Sequence, residues 1–272
     1  MTLAGKISKN QEKIEKYLDC GYVKWDKLID RISKQELDKD KKFSDEQIWT
    51  FLIACGYAIN GQQGINKLCS LLTGIDNLES NKIWFEVLPT SPRIKEGPTH
   101  LDLAIGNIKA RENTKSGIEL NPIDDSWIVF CEMKWYSDLS DNVTYDQHRN
   151  QLSRVIENAI TFQKNGLFAD KVFVSLVTPA IFMDRENKSR LYSYKFEEYN
   201  DSIDSLKNDF SNCKLEKKYN KKIWNYPNNI ENRLSKLTLK WTSFDSLFDS
   251  MPDSDILLDI KSFENEYNNA KK

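Results

Sequence analysis

The sequence predicts a single α/β domain with a helical part at its N-terminus. Short apolar or alternating runs bounded by Pro and Gly predict strands, whereas longer stretches with apolar residues three and four positions apart predict helices. In chain order these segments are helix, three strands, helix, strand, helical insert, strand and helix. Strands and helices interleaved in this way are typical of one sheet covered by helices.

The first helices are predicted ahead of the sheet. Residues 7–42 are rich in Lys, Glu and Asp, and their apolar residues at helical spacing predict exposed amphipathic helices. Ser44 and Gln47 have the spacing of a capping box, which predicts the start of a buried helix over the apolar run 48–59. A second helical stretch follows at 65–72, and both are expected to end at the glycines behind them.

Five later segments predict strands, because each is apolar or alternating. They are residues 83–88, 100–105, 127–135, 171–177 and 237–241. A long amphipathic helix is predicted at 145–164, a polar insert of helices and loops at 184–235, and a short helix at 243–248. The segment 127–135 has the strongest strand signal in the chain.

Composition sets the broad class of protein. We expect a domain at 44–250, between a helical segment at 1–43 and a tail at 251–272. The many aromatic residues, 7 Trp, 11 Tyr and 13 Phe, argue against intrinsic disorder. A net charge of −2 requires any face that binds nucleic acid to be locally basic. Five scattered cysteines without a Cys-x-x-Cys pair argue against a zinc ribbon or a disulfide framework. We expect a cytoplasmic protein with reduced thiols and no membrane partner, since the longest apolar stretch is about half of a membrane span.

Glu132 and Lys134 place two charges on the most apolar predicted strand. Alternate strand residues share a face, so both side chains project from the same side. Charges in so apolar a setting cost free energy unless they are paired or bind an ion. Asp102 has a similar setting, and if its strand is the neighbour, Asp102 and Glu132 form a two-carboxylate cage for one divalent cation. Oxygen ligands suit Mg²⁺ or Mn²⁺, and Lys134 would hold the attacking water or the phosphate.

The Asp/Glu-x-Lys tripeptide by itself is a weak signal, because it recurs in this charged chain. Asp259-Ile260-Lys261 also follows an apolar run, but no strand and helix continue behind it. Only Glu132-Met133-Lys134 combines an apolar strand with an upstream strand Asp and a downstream polar helix. An ion pair at the end of a strand is the competing interpretation of that motif.

The helix predicted after this strand carries a polar stripe. Gln147, Gln151, Arg154 and Asn158 recur at helical spacing and therefore share a face. Amide and guanidinium donors suit a face turned towards phosphates or metal-bound water. Gln151 and Arg154 are predicted site residues, whereas solvent exposure explains Gln147 and Asn158 equally well.

These residues resemble the motif of the PD-(D/E)xK nuclease superfamily. Its members carry an Asp on one strand, (D/E)-x-K on the next, and often a Gln pattern on the following helix. The corresponding residues here are Asp102, then Glu132 and Lys134, then Gln151 and Arg154. The resemblance covers about residues 44 to 180. It departs from the family pattern at Pro98, which lies four residues before the Asp, and in the long spacing to Glu132.

The resemblance implies a restriction-endonuclease-like core, in which a mixed sheet of four or five strands is flanked by helices. It implies hydrolysis of phosphodiester bonds in DNA with Mg²⁺ or Mn²⁺, leaving a 5′-phosphate. The implied catalytic residues are Asp102, Glu132, Lys134 and Gln151. The implied metal ligands are Asp102, Glu132 and the backbone carbonyl of Met133, with Glu46 of the first core helix as a further candidate. Glu46 could equally interact with the helix dipole.

Two basic segments are candidate nucleic-acid contacts. Arg93 and Lys95 lie just before the strand of Asp102, where they could contact a DNA backbone. The segment 214–222 is strongly basic and is followed by aromatic residues. Its candidate residues are Lys217, Lys218, Lys221 and Lys222. An ordinary solvated face is the competing interpretation for both segments.

Three functions compete at this point. The first is a Mg²⁺-dependent endodeoxyribonuclease that serves restriction, phage defence or DNA processing. The second is a non-catalytic nucleic-acid-binding or assembly module that retains the nuclease fold. The third is an unrelated α/β protein in which Glu132 and Lys134 simply pair. A homodimer would supply two active sites for cutting both strands of a duplex, although no interface residue stands out in the sequence.

Overall fold

A mixed six-stranded sheet forms the centre of the protein. The computed structural model describes residues 1–37, 45–139, 148–183, 190–220 and 224–262. The strands of this sheet are β1 (Leu18–Asp19), β2 (Ile83–Val87), β3 (Leu101–Gly106), β4 (Trp127–Met133), β5 (Lys171–Thr178) and β6 (Leu237–Ser243). Their spatial order is the same as their order in the chain. β3 runs antiparallel to both of its neighbours, and the other pairs are parallel.

The connections explain this mixture of directions. The antiparallel strands β2, β3 and β4 follow one another through loops and a hairpin. Each parallel pair is separated in the chain by helices, because parallel strands need a long crossover. The helices are α1 (Leu3–Lys9), α2 (Gln11–Glu15), α3 (Trp25–Leu37), α4 (Glu46–Ala58), α5 (Gly61–Thr73), α6 (Gln151–Ile160), α7 (Leu191–Asp201), α8 (Ile203–Asn212), α9 (Ile230–Leu234) and α10 (Phe244–Asp249).

Both faces of the sheet are buried under separate apolar layers. Along β4, Val129, Cys131 and Met133 belong to one layer, and Ile128 and Phe130 belong to the other. The first layer contains residues of α1 to α5 and of α10, and the second contains residues of α6 to α9. A strand that is covered on both faces has a continuous apolar sequence, which is why β4 and β5 are recognisable as strands from the sequence alone.

The apolar run at 48–59 forms the buried helix α4, as predicted. Its N-cap is Asp45, whose side chain accepts a hydrogen bond from the backbone N–H of Ile48. The predicted cap, Ser44, lies outside the described residues. The next helix, α5, ends where predicted, because Gly74 adopts the left-handed conformation with φ of 75°.

The helix predicted over 145–164 is shorter in the structure. α6 begins only at Gln151, where the Asn150 side chain caps it by accepting from the Ser153 backbone N–H at 2.9 Å. The polar insert contains α7, α8 and α9 and a small hairpin of Tyr219–Asn220 with Trp224–Asn225, in agreement with the prediction of helices and loops.

The α/β fold with helices on the sheet is confirmed, but the sheet has six strands where the resemblance implied four or five. The extra strand β1 is two residues long and lies within the segment predicted to be helical. Ile7 from that segment and Ile256 and Ile260 from the tail belong to the same apolar layer as α4. Both end segments therefore contribute to the core. Among the described residues, no helix is both long enough and apolar enough to cross a membrane.

The close contact between α4 and α5 depends on Gly64. A Cβ atom at this position would lie 2.0 Å from the backbone carbonyl oxygen of Tyr57, which is far inside van der Waals contact. We expect Gly64→Ala to lower the free energy of unfolding by about 1–3 kcal/mol through overpacking, as measured by urea denaturation. Gly97→Ala is the matched control, since nothing lies within 4 Å of a Cβ there. Equal effects of the two substitutions would contradict the prediction.

Candidate active site

Asp102 and Glu132 lie on neighbouring strands at the same edge of the sheet. Leu103 of β3 pairs with Cys131 of β4, which puts Asp102 and Glu132 at adjacent positions. The backbone N–H of Met133 donates to Asp102 Oδ2 at 2.7 Å, so the Asp102 carboxylate rests against the end of β4. Glu132 is buried, and Asp102 keeps a partly exposed surface.

Lys134 lies between two carboxylates just beyond the end of β4. Its Nζ is 2.7 Å from Glu132 Oε1 and 3.0 Å from Glu46 Oε1. Glu46 Oε2 also accepts from the backbone N–H of Trp135 at 3.0 Å and from the Ser137 hydroxyl. Glu46 is the first residue of α4, where a carboxylate interacts favourably with the helix dipole, and its role as a metal ligand stays a prediction.

Two carboxylates pair with the Lys134 ammonium, and the charge of a third, Asp102, also acts on it. Burial and the charge of Glu132 raise the pKa of Asp102 well above its ordinary value, although Lys134 opposes them. Burial likewise raises the pKa of Glu132 in spite of its contact with Lys134. Burial lowers the pKa of Lys134, but the charges of Glu132, Asp102 and Glu46 outweigh it and raise that pKa above its ordinary value. Lys134 therefore stays protonated, and one ammonium does not offset the burial and mutual repulsion that disfavour the ionised forms of Asp102 and Glu132.

The oxygen donors of this cluster fit a hard divalent cation. The N–H and C=O of one strand residue point to the same neighbouring strand, which directs the Met133 carbonyl towards β3 and Asp102. A cation between Asp102 and Glu132 would favour the ionised forms of both carboxyl groups and so oppose the burial that raises their pKa values. Within the described part of the chain, no three His, Cys, Asp or Glu side chains are arranged to hold a metal by themselves. A cation here would therefore need the carbonyl and water as further ligands, which suits Mg²⁺.

Glu86 is a buried acidic residue beside this cluster that the sequence reasoning missed. It interrupts β2 with φ of 54°, a conformation that residues with a side chain rarely adopt. Gln47 Nε2 donates to Glu86 Oε1 at 2.6 Å, and the Tyr22 hydroxyl donates to Oε2 at 3.3 Å. Burial, Glu86 and the charge of Asp102 together raise the pKa of Tyr22 to about 12. The signal available in the sequence was a Glu within the apolar run 83–87.

The polar stripe of α6 faces the connection that leads into β3. Arg154 Nε donates to Thr99 Oγ1 at 2.9 Å, and Nη2 donates to the backbone carbonyl of Gly97. Asn158 Nδ2 donates to the same Thr99 oxygen at 3.0 Å and is buried, so the alternative of solvent exposure is wrong for Asn158. Gln151 is half-buried at the start of the helix. Because Arg154 is bonded to the protein and only 14% exposed, it anchors this connection, and the predicted contact with nucleic acid does not fit it.

Arg93 does not face solvent, and its predicted contact with DNA is wrong. Its Nε donates to Glu157 at 3.0 Å, and its other nitrogens donate to the backbone carbonyls of Leu215 and Phe210. Arg149 pairs with the same Glu157 carboxylate at 2.7 Å. All three charged side chains are buried, and a sequence alone does not show which basic residue has a distant acidic partner.

The other predicted nucleic-acid contacts lie on two segments that run side by side, since the backbone N–H of Ile94 donates to the Glu216 carbonyl at 2.8 Å. Lys95 is exposed, whereas Lys217 and Lys218 are half-buried. Lys217 Nζ lies over the Tyr226 ring, 4.7 Å from its centroid, and the backbone N–H of Lys218 donates to the Pro92 carbonyl at 2.8 Å. Three residues singled out in the sequence lie outside the described part of the chain: Gln147, Lys221 and Lys222.

Comparison of the chain with protein-family models, with curated proteins and with solved structures gave no match. No relative therefore assigns a role to any residue of the cluster at the end of β4. Its chemistry is inferred from the geometry and charge described above.

Proposed function

We propose that the protein is a metal-dependent DNA endonuclease of the PD-(D/E)xK class. The observation that carries the proposal is the convergence of Glu46, Asp102, Glu132 and Lys134 at one edge of the sheet. A structural ion pair needs only one carboxylate. Asp102 and Glu132 both have raised pKa values beside a single lysine, and a divalent cation would supply the counter-charge that favours their ionised forms.

Lys134 is the cation that the chain itself supplies. Its ammonium has three donors and can hold a phosphate oxygen or the attacking water while Glu132 and Glu46 fix its position. Since its pKa is raised, Lys134 remains protonated. Its role is therefore to stabilise negative charge, and it does not take the proton from water.

Asp102, Glu132 and the Met133 carbonyl are the residues that would hold Mg²⁺ or Mn²⁺. When bound, such a cation supplies a Lewis acid that polarises the phosphate and offsets its charge. We further propose that Gln151, at the start of α6, lies beside the substrate. The expected product of hydrolysis carries a 5′-phosphate.

Asp102→Asn tests the carboxylate cage with a binding measurement as well as an activity. Wild type is expected to cut plasmid, linear duplex or single-stranded DNA with Mg²⁺ or Mn²⁺ and to be inactive with a chelator. Asn keeps an acceptor for the Met133 N–H but removes a charge, so we expect the affinity for Mn²⁺ to fall more than about tenfold in isothermal titration calorimetry. Asp124→Asn, at an exposed position before β4, is the control and should leave Mn²⁺ binding unchanged. Unaltered Mn²⁺ affinity in Asp102→Asn would argue against the metal site.

The non-catalytic module is the other outcome of this experiment. DNA binding that weakens with salt, without metal binding or cleavage of DNA or RNA by wild type, would favour it. A folded protein that binds neither metal nor nucleic acid would leave the cluster as a purely structural ion pair.

A further inference from the structure

A pocket with charged residues in its wall lies outside the candidate active site. Its volume is about 130 Å³, and its lining residues are Thr90, Arg111, Glu119, Gln163, Lys164, Lys218 and Trp224. The connection after β2, the hairpin of Ile108–Ala110 with Ile118–Leu120, the segment after α6 and the polar insert all contribute to its wall. None of these residues contacts Lys134, so the pocket is distinct from the cluster at the end of β4.

Arg111 is held in the wall of this pocket without an acidic partner. Its Nη1 donates to Thr90 Oγ1. The guanidinium packs against Gly117, where an added Cβ would lie 2.6 Å from Nη2. Among the residues that the structure describes, no carboxylate lies within ion-pair distance of Arg111. The guanidinium is thus fixed in place without an ion pair of its own among the described residues.

Lys218 is a second half-buried cation of this pocket that has no ion pair among the described residues. The one acidic residue of the pocket, Glu119, is already paired with Lys164 at 2.6 Å and lies 3.8 Å from Lys109. Burial and the nearby charge of Arg111 lower the pKa of Lys218. Burial also lowers the pKa of Arg111, although Glu119 opposes it. Two half-buried cations without a described acidic partner of their own favour the entry of an anion.

We propose that this pocket binds a phosphate group through Arg111, Lys218 and Thr90. A guanidinium presents planar donors that match phosphate oxygens, and an ammonium adds a point charge. The Thr90 oxygen accepts from Arg111, which leaves the hydroxyl hydrogen to donate to the phosphate. Trp224 closes the pocket on the side of the polar insert. The phosphate is either free or part of a nucleic-acid strand, and both present the same group.

The test is calorimetric titration of the purified full chain with inorganic phosphate. We expect Arg111→Gln and Lys218→Gln each to weaken binding by about tenfold or more, because each removes a charged donor. Lys109→Gln is the matched control: it removes the same charge beside Glu119 but from outside the pocket lining, and it should leave the affinity unchanged. If Arg111→Gln fails to fold, Lys218→Gln still tests the proposal. No described hydrogen bond or ion pair depends on the Lys218 side chain, so this substitution is not expected to disturb the fold.

Two results would contradict the proposal that this pocket binds phosphate. One is the absence of phosphate binding by folded wild type. The other is an equal loss of affinity in all three variants, which would indicate diffuse attraction by the surface charge. The phosphate titration is made without a divalent cation, whereas the metal site is tested by Mn²⁺ affinity, so failure of the pocket and failure of the metal site are distinguishable.

The source of the phosphate follows from competition with oligonucleotides. If the pocket takes a backbone phosphate, an unphosphorylated duplex competes with inorganic phosphate, and Lys218→Gln lowers the salt dependence of duplex binding by about one phosphate contact. If it takes a free or terminal phosphate, only the 5′-phosphorylated oligonucleotide competes. Both patterns support the pocket, and each assigns a different ligand.

Discussion

Lys134→Met is expected to reduce the rate of DNA cleavage by about a hundredfold to a thousandfold, the effect of removing one donor that stabilises developing charge. The ammonium is the cation within 3.0 Å of both Glu132 and Glu46, and Met replaces its volume without its charge. Initial rates of plasmid cleavage with Mg²⁺ measure the effect. Mn²⁺ titration of the same variant separates loss of chemistry from loss of metal binding.

Lys240→Met is the matched control for this substitution. Lys240 is a partly exposed residue of β6, and no carboxylate among the described residues lies within ion-pair distance of it. The Lys240→Met protein is expected to cleave DNA at the rate of wild type. A folded Lys134→Met protein that also cleaves at that rate would show that another cation stabilises the phosphate.

Glu157→Gln is expected to have the largest effect on stability. The carboxylate of Glu157 contacts Arg93 at 3.0 Å, Arg149 at 2.7 Å and the Tyr226 hydroxyl at 2.7 Å, and all four side chains are buried. Removing one charge leaves buried guanidinium groups without full compensation. We expect the free energy of unfolding to fall by about 3–5 kcal/mol in urea denaturation.

The same network predicts how stability depends on pH. Burial alone raises the pKa of Glu157, but Arg149, Arg93 and Tyr226 outweigh burial and hold that pKa below its ordinary value. A carboxyl group of this kind stabilises the fold above its unfolded pKa of about 4.3, and the stabilisation is lost as pH falls through the folded pKa. Wild type should therefore lose stability below about pH 4.3 more steeply than Glu157→Gln, which lacks this group.

An exposed ion pair provides the control for both measurements. Asp30 and Lys34 are one helical turn apart and 2.6 Å from each other, and both side chains are more than half exposed. Asp30→Asn is expected to change the free energy of unfolding by less than about 0.5 kcal/mol. An effect of Glu157→Gln as small as this would show that the buried network does not stabilise the fold.

The buried network also bears on the candidate active site. Arg93 and Glu96 belong to the connection that leads into β3, and Glu96 pairs with Arg149 at 2.7 Å. Arg154 holds the next part of the same connection through Gly97 and Thr99. Because Asp102 follows directly, these buried arginines position its strand from α6 and from the polar insert. They act on the site through the backbone, without contact with a substrate.

Local signals were sufficient for most of the secondary structure. The apolar run of β4, the uninterrupted apolar helix α4 and the glycine that ends α5 depend on neighbouring residues alone. Local signals failed where a tertiary contact was stronger. Residues 148–150 lie within the predicted helix, but Arg149 bonds to Glu96 and Asn150 caps α6.

The sequence by itself determined that Glu132 and Lys134 share a face, because strand alternation is a local property. Only the tertiary structure decided which other charges join them. Glu46 meets Lys134 across 88 positions, and Arg93 turns to Glu157 across 64 positions instead of facing DNA. Such pairings depend on strand register and helix packing, and a linear pattern of charges does not contain that information.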